Sequence, residues 1–252
     1  MPRPPLRVIQ QGFPDRPAFG TAVSRALLVR VAGGELPPTL RLHRPGPTLA
    51  FSRQDAASRG YRAAARAARE AGFEPVLRLA GGRAAVYHHG TLACSWAVPD
   101  RLPARRTFER FRELAGLLAE ALQRLGVDAR VGEVPGEYCP GAWSVNARGR
   151  RKLVGIGQRI VAGGAHRGAV IVVSGSGAIR DVLVPVYEAL ELEWDPETAG
   201  SVEDEIGALG LAAVEEAILD TFGEHYQLDP DELDQATLEL ASSLDPAHRV
   251  DT

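Results

Sequence analysis

The chain is 252 residues long, 45% hydrophobic and 24% charged, with a formal net charge of −3. Such values suit a soluble globular domain large enough to bury a real core, and no apolar run approaches the ~20 residues of a membrane span. Met1-Pro2-Arg3-Pro4-Pro5 lacks the apolar core of a signal peptide, so a cytoplasmic protein with no membrane partner is expected. Two cysteines, Cys94 and Cys139, are too few for a disulfide framework or a zinc site, and no metal is expected.

In chain order, Phe19–Ala32 reads as a helix with Val23, Ala26, Leu27 and Val31 at helical spacing. Gly33-Gly34 ends it and Pro37-Pro38 prevents a restart. Thr39–His43 alternates as a short strand, with Leu40 and Leu42 on one face, and Thr48–Ser52 is another. Arg53–Gly72 is alanine-rich and reads as one helix. Val76–Leu79 is a strand leading into Ala80-Gly81-Gly82-Arg83, followed by strands at Ala84–His88 and Leu92–Val98. Thr107–Leu125 is the best helix, with Phe108, Phe111, Leu114, Leu118, Ala121 and Leu122 on its apolar face and Gly126 as its stop.

From Val131 to Gly141 the glycines and prolines argue against regular structure. Strands are expected at Ser144–Asn146, Lys152–Ile160 and Ala169–Ser174, then helices at Ile179–Leu190 (interrupted at Pro185), Val202–Phe222 and Asp231–Leu244. The pattern is α+β, with hairpins in the middle and helices at the ends.

The small net charge hides an asymmetry. Residues 1–180 carry 28 Lys+Arg and 12 Asp+Glu, a balance of +16, whereas residues 181–252 carry one arginine and 20 acids, a balance of −19. A basic front part attracts nucleotide phosphates or an acidic partner protein, and the acidic tail either folds back on it or forms a solvated helical surface. Nucleic acid is not the expected partner, because the arginines are scattered and not interleaved with aromatics as a stacking platform requires.

Lys152 is the only lysine; the other 28 basic residues are arginines. An arginine-favouring genome explains the arginines and leaves one position where a compact, flexible ammonium was kept in place of a planar fork. The second stretch with chemical potential is Arg78-Leu79-Ala80-Gly81-Gly82-Arg83-Ala84-Ala85-Val86-Tyr87-His88. Paired glycines between strands let backbone N–H groups approach an anion, and arginine clamps the same charge. The stretch matches neither the P-loop nor the dinucleotide-binding fingerprint.

The order Pro47-Thr48-Leu49-Ala50-Phe51-Ser52-Arg53-Gln54, then Arg78…Gly81-Gly82…Val86-Tyr87-His88, then Lys152-Leu153-Val154-Gly155…Gln158 resembles the lipoate–protein ligase and octanoyltransferase superfamily. The resemblance covers roughly residues 5–226. It implies a mixed, largely antiparallel sheet flanked by helices, the biotin/lipoate ligase fold, akin to class II aminoacyl-tRNA synthetases. Residues 1–226 would form the catalytic domain and 227–252 a short acidic helical extension. By the same resemblance, Arg78, Gly81, Gly82, Arg83, Ala85, Val86, Tyr87 and His88 bind the acyl group or acyl-adenylate. Gly155 and Gln158 do so beside Lys152, whose ammonium would contact the acyl carbonyl and, in ligases, the adenylate phosphate. The chain departs from the pattern in a spacing one residue longer between Gly82 and Val86, in His89 where an acid usually stands, and in a single arginine before the glycines.

The superfamily uses two chemistries. Ligases activate lipoate with ATP and magnesium; transferases pass an octanoyl or lipoyl group through a cysteine thioester. In lipoyl-ligase-like transferases that cysteine lies about a dozen residues before the lysine, as Cys139 does here, in the turn-rich Pro135-Gly136-Glu137-Tyr138-Cys139-Pro140-Gly141. A free thiol with a pKa of about 8.5 is only slightly ionised at neutral pH, and a neighbouring ammonium favours the thiolate. At ~4 Å and an effective dielectric of ~20 that attraction is roughly 4 kcal/mol before desolvation. Cys94, in an apolar strand, reads as an inert core thiol, and His43, His166 and His225 as surface or supporting residues.

The expected function is attachment of lipoyl or octanoyl groups to the lysine of lipoyl-domain proteins (2-oxoacid dehydrogenase subunits, glycine cleavage H protein). Cys139 would carry the thioester with Lys152 assisting, and acyl carrier protein would be the donor. The alternatives are an ATP-dependent ligase working through lipoyl-AMP and a non-catalytic paralogue that binds an acyl group or a lipoyl domain. Only about 25 residues follow Tyr226, too few for the accessory domain that many ligases carry. The glycine–arginine loop of biotin ligases is absent.

Overall fold

Along Thr91–Pro99, Leu92, Cys94 and Trp96 point into one apolar layer, while Ala93, Ser95 and Ala97 face the opposite side. That period of two recurs in the strands beside it and separates a greasy face from a face of small and polar side chains. The computed structural model describes residues 2–251.

The elements run β1 (Pro5–Ile9), α1 (Pro17–Ala32), β2 (Thr39–His43), β3 (Thr48–Phe51), α2 (Arg53–Ala56), α3 (Tyr61–Glu70), β4 (Glu74–Leu77), β5 (Ala85–Tyr87), β6 (Thr91–Pro99), α4 (Thr107–Arg124), β7 (Ala129–Val131), β8 (Val145–Ala147), β9 (Arg151–Val161), β10 (Gly164–Val172), α5 (Ser176–Ala189), α6 (Val202–Ile206), α7 (Leu211–His225), β11 (Gln227–Pro230) and α8 (Gln235–Leu244). Eight strands form one sheet in the order β11-β1-β2-β6-β10-β9-β8-β7, and β4-β3-β5 form a second, smaller one. The large sheet is antiparallel from β2 to β7 and parallel where β1 meets β2 and β11. The mixed, largely antiparallel α+β architecture expected from the sequence is therefore the one observed.

The greasy face of the large sheet packs under α4 and α7, with Leu42, Trp96, Leu118, Ile171 and Phe222 in one cluster. The small sheet packs with α3 and α5 around Phe51, Val86, Tyr138 and Tyr187, and α1 meets α8 in a third cluster. Among the described residues no helix is long and apolar enough to cross a membrane.

Several boundaries differ from the sequence expectation, each for a local reason. The helix expected over Arg53–Gly72 is two helices. Ser52 and Asp55 close a capping box at the start of α2, and Gly60 then passes so near the end of α5 that a Cβ there would sit 1.6 Å from the Ala189 carbonyl. The helix expected over Val202–Phe222 is cut at Gly207, whose φ of +83° is left-handed. Pro185 does not interrupt α5; the carbonyl that loses its helical partner belongs to Asp181, an exposed residue. Strands β1, β7 and β11 are not expected from the sequence, because three to five residues carry too little periodicity to read. The acidic tail does fold back: Arg7, Arg30, Arg44, Arg124 and Arg148 pair with Asp231, Asp234, Glu215, Glu224 and Glu205.

Candidate active site

The face of the large sheet opposite α4 and α7 is paved with small residues. Ala93 and Ser95 on β6, Gly155 and Gly157 on β9 and Gly168 on β10 share that face through the registers Ser95↔Gly168↔Gly157 and Ala93↔Val170↔Gly155. Their small size leaves a groove, closed over by the small sheet, the start of α1 and the Arg78–Arg83 loop. It is a mostly apolar groove, about 1000 Å³ when the solvent space at its open mouth is counted. Gly157 has a packing reason of its own: a Cβ there would lie 2.7 Å from the Ala80 side chain.

Cys139 stands at this pocket, partly exposed, on the loop between β7 and β8. Its φ of +43° is left-handed, a conformation that costs a non-glycine residue about 1–2 kcal/mol and that is typically held at functional sites. Three groups approach the sulfur. The backbone N–H of Arg83 donates to Sγ at 3.1 Å, Arg78 Nη2 lies at 3.5 Å, and Gly82 packs so closely that a Cβ would be 2.8 Å from Sγ and 2.6 Å from Arg78 Nη2. With its φ of +97°, Gly82 is the residue that lets the loop wrap the thiol. Arg78 Nη2 also donates to the Gly81 carbonyl at 2.6 Å, which fixes the guanidinium over the sulfur.

Burial by itself would push the Cys139 thiol up. The Arg78 guanidinium, then the Lys152 ammonium, then the hydrogen bonds from Arg78 and the Arg83 N–H pull it down, and the balance leaves it below the ordinary thiol value. The sequence reading placed Lys152 first in that role; Arg78 precedes it. Burial raises Cys94, by contrast, to about 12 against only a weaker downward pull from Arg167, as befits an inert core thiol.

Lys152 lies beneath the Cys139 loop and is 1% exposed. Its Nζ donates to Glu137 Oε1 at 3.0 Å, to the Tyr138 carbonyl at 2.9 Å and to the Cys139 carbonyl at 2.7 Å. An ammonium has three donors, and all three are engaged with residues 137–139. The geometry thus makes Lys152 the pin of the loop and leaves no donor aimed at an acyl carbonyl or a phosphate. Glu137 completes the pin: its carboxylate also accepts from the Val134 and Gly141 backbone N–H groups and from Ser144 Oγ.

Tyr187 ties this loop to the other one. The Cys139 N–H donates to Tyr187 Oη at 2.8 Å, and the tyrosine hydroxyl donates to the Ala84 carbonyl at 3.0 Å. Asp55 does the same for Arg83. The fully buried carboxylate accepts from Ser52 through one oxygen and pairs with Arg83 Nη1 at 3.4 Å through the other. None of Glu137, Tyr187 or Asp55 was singled out from sequence. Asp55 had a local signal in the Ser52-x-x-Asp55 capping pattern, and Glu137 stood two residues before Cys139, but Tyr187 had none. Substitution of Tyr187 by phenylalanine leaves the buried Cys139 N–H and Ala84 carbonyl short of a partner, at about 1–3 kcal/mol. A melting temperature lower by several degrees is expected, together with slower alkylation of Cys139; unchanged values of both would sink the assignment.

Of the other residues expected at the site, Ala85, Tyr87 and Gly155 line the pocket. Three lie elsewhere. Val86 points into the core of the small sheet. His88 is packed between Gly90 and Gly175, where a Cβ on either glycine would come within 2.7 or 2.9 Å of its ring. Gln158 is bound to Arg110 beneath α4. His43 and His166, read as surface or supporting residues, are buried pocket-wall residues. Ser95 Oγ bonds His166 Nε2 at 2.8 Å, and burial lowers His166 to about 4, so its ring is neutral. Among the described residues no group of three or more His, Cys, Asp or Glu is placed to hold a metal ion.

A thiol approached by a guanidinium and a backbone N–H at the mouth of an apolar groove is the arrangement a cysteine nucleophile needs. Residues 16–223 match the catalytic-domain model of the lipoyl protein ligase A/B family, and the chain belongs to that family. An octanoyl-[GcvH]:protein N-octanoyltransferase of Geobacillus kaustophilus is 29% identical over 187 residues, 72% of this chain and 65% of that protein. Octanoyltransferase LipM of Kyrpidia tusciae is 31% identical over 252 aligned positions, 90% of each. The matched segments span 52–65% of the length of four octanoyltransferases among these relatives. In fold, the chain is similar to lipoate-protein ligase A bound with ATP (TM-score 0.77, 18% identity, 96% of this chain and 94% of that one). It is similar also to a bi-partite lipoate protein ligase from Thermoplasma acidophilum (TM-score 0.71, 18% identity, 98% and 93%).

Proposed function

We propose that this protein transfers an octanoyl or lipoyl group through a thioester on Cys139 to the acceptor lysine of a lipoyl-domain protein. The observation that carries this reading is the convergence of Arg78 and the Arg83 N–H on the Cys139 sulfur at the edge of the apolar pocket. The thiolate attacks the donor's acyl carbonyl, the donor thiol leaves with a proton, and the acyl chain lies in the groove over Gly155 and Gly157. The acceptor amine, entering unprotonated, then attacks the Cys139 thioester and forms the amide. It releases one proton to solvent, balancing the one the donor thiolate takes up on leaving, and the sulfur returns as thiolate to Arg78 and Arg83. The names of octanoyltransferase relatives support octanoyl-GcvH as the first donor to test; acyl carrier protein bearing octanoate as a thioester is the second.

The ATP-dependent alternative asks Lys152 to meet a phosphate. With all three of its donors spent on residues 137–139, the ammonium does not fit that role, and no adenylation step is derived. Incubation with octanoyl-loaded carrier and intact-mass measurement should give a protein heavier by one octanoyl group, with no such species for Cys139→Ser. Absence of the adduct, together with lipoate-dependent release of AMP from ATP, would replace the transferase reading by the ligase.

A further inference from the structure

We propose that the turn before α4 and the first two turns of that helix form the docking surface for an acidic acyl-carrier domain. The proposal rests on the acyl-transfer reading and adds where the macromolecular donor sits. The amphipathic pattern of α4 puts Phe108 on its apolar face, yet Phe108 is 69% exposed, and Leu102, six residues earlier, is 57% exposed. These are the two most exposed large hydrophobic side chains among the described residues. Around them stand Arg101, Arg105 and Arg112, all exposed. Arg106 is paired with Glu109, but these three have no ion-pair partner among the described residues. The acidic tail neutralises Arg7, Arg30, Arg44, Arg124 and Arg148 but not these three. Arg53, Arg59, Arg62 and Arg66 are exposed and unpaired among the described residues as well, so what distinguishes this patch is the pairing of bare arginines with exposed Phe108 and Leu102. Aromatic and arginine anchors on one patch are what interface cores favour, and the sign of the charge selects an acidic partner.

Two features make the patch a built platform and connect it to the nucleophile. Arg110, 2% exposed, pairs with Asp100 at 2.5 Å and donates to the Pro103 carbonyl and the Gln158 side chain. That single side chain staples the turn to α4 and to β9. Gln158, expected from its motif to touch the acyl group, has this anchoring role instead. On the other side, Phe111 stacks on Trp143 with ring centroids 6.5 Å apart and planes 11° from parallel, and Arg112 lies 5.9 Å above the same ring. Trp143 is four residues beyond Cys139, and its neighbour Ser144 is hydrogen-bonded to Glu137 in the pinned loop.

The test compares two acyl donors on the full chain: acyl carrier protein loaded with octanoate, and the small diffusible thioester octanoyl-N-acetylcysteamine. For R101E/R105E and for Phe108→Ser, the KM for the loaded carrier should rise about tenfold or more; its salt dependence should flatten in R101E/R105E and stay as in the wild type in Phe108→Ser. Acylation of Cys139 by the small thioester should be unchanged. Carrier kinetics that match the wild type, or equal losses with both donors, would overturn the docking surface. If wild-type Cys139 accepts octanoate from neither donor and not from octanoyl-GcvH either, the acyl-transfer reading has failed, and titration calorimetry of unloaded acyl carrier protein against wild type and R101E/R105E still decides this proposal. Binding weakened only in the variant supports it, and equal binding or none overturns it. A concentration-dependent dimer abolished by Phe108→Ser would give the patch to a second copy of the chain and overturn it as well.

Discussion

Replacing Cys139 with serine is expected to lower octanoyl transfer at least about 10³-fold, and replacing Arg78 with leucine to move the thiol's titration upward. Serine keeps nearly the same shape, but its hydroxyl does not ionise in the neutral range, so the donors gathered around position 139 have no anion to stabilise. Arg78→Leu isolates the electrostatics. Burial acts to raise the thiol, and Arg78 is the largest of the influences that lower it. Without the guanidinium, the upward push of burial is opposed only by Lys152 and the Arg83 N–H. The rate of iodoacetamide alkylation of Cys139 against pH reads this directly. Its midpoint in the wild type should lie below the roughly 8.5 of a free thiol, because the charged form is favoured in the folded state. In Arg78→Leu the midpoint should rise. An unmoved midpoint would assign Arg78 to ligand contact alone, and a Cys139→Ser protein that still forms an octanoyl adduct would remove Cys139 from the chemistry.

The parts of the site that were legible in the sequence are those that announce themselves locally. A glycine pair between strands, a lone lysine after a turn and a cysteine in a proline-rich loop are all written in neighbouring residues. Part of the fold was legible too: Leu92–Val98 reads as a buried strand from its apolar run and Lys152–Ile160 as a strand after a glycine turn, but the faces that create the groove follow from the sheet registers. What could not be read was set by packing between distant segments. Tyr187 reaches Cys139 across 48 positions, and Asp55 reaches Arg83 across 28. His88 and Gln158 show the converse. Both sit within recognisable motifs, yet one ring is wedged between two glycines and the other amide is committed to Arg110. Phe108 has the spacing of a core residue and points into water, because the turn stapled by Arg110 ends the protein's surface just there.

Changing Lys152 to arginine keeps the positive charge and should still cost about 10²-fold or more in transfer. The ammonium is tetrahedral and compact, and its three acceptors lie 2.7–3.0 Å away around it. A guanidinium is a planar fork with five donors, and it would have to fit where Lys152 Cε already stands 3.4 Å from the position of a Cβ on Gly155. The loop must therefore shift, and Cys139 shifts with it, away from Arg78 and the Arg83 N–H. Lys152→Met asks a different question. It strands the Glu137 carboxylate, whose side chain is 0% exposed, at about 3–5 kcal/mol, or roughly 10 °C in melting temperature. Adding Glu137→Gln should recover much of that temperature, since a neutral buried pair is tolerated far better than one bare charge. It should not recover activity, because the thiol has lost the ammonium that helps hold its charge. Thermal melts and the alkylation profile on the three variants separate the two roles. If Lys152→Arg turns over normally, the pin is not what keeps this lysine among 28 arginines. If K152M/E137Q regains both stability and transfer, Lys152 serves the fold and not the sulfur.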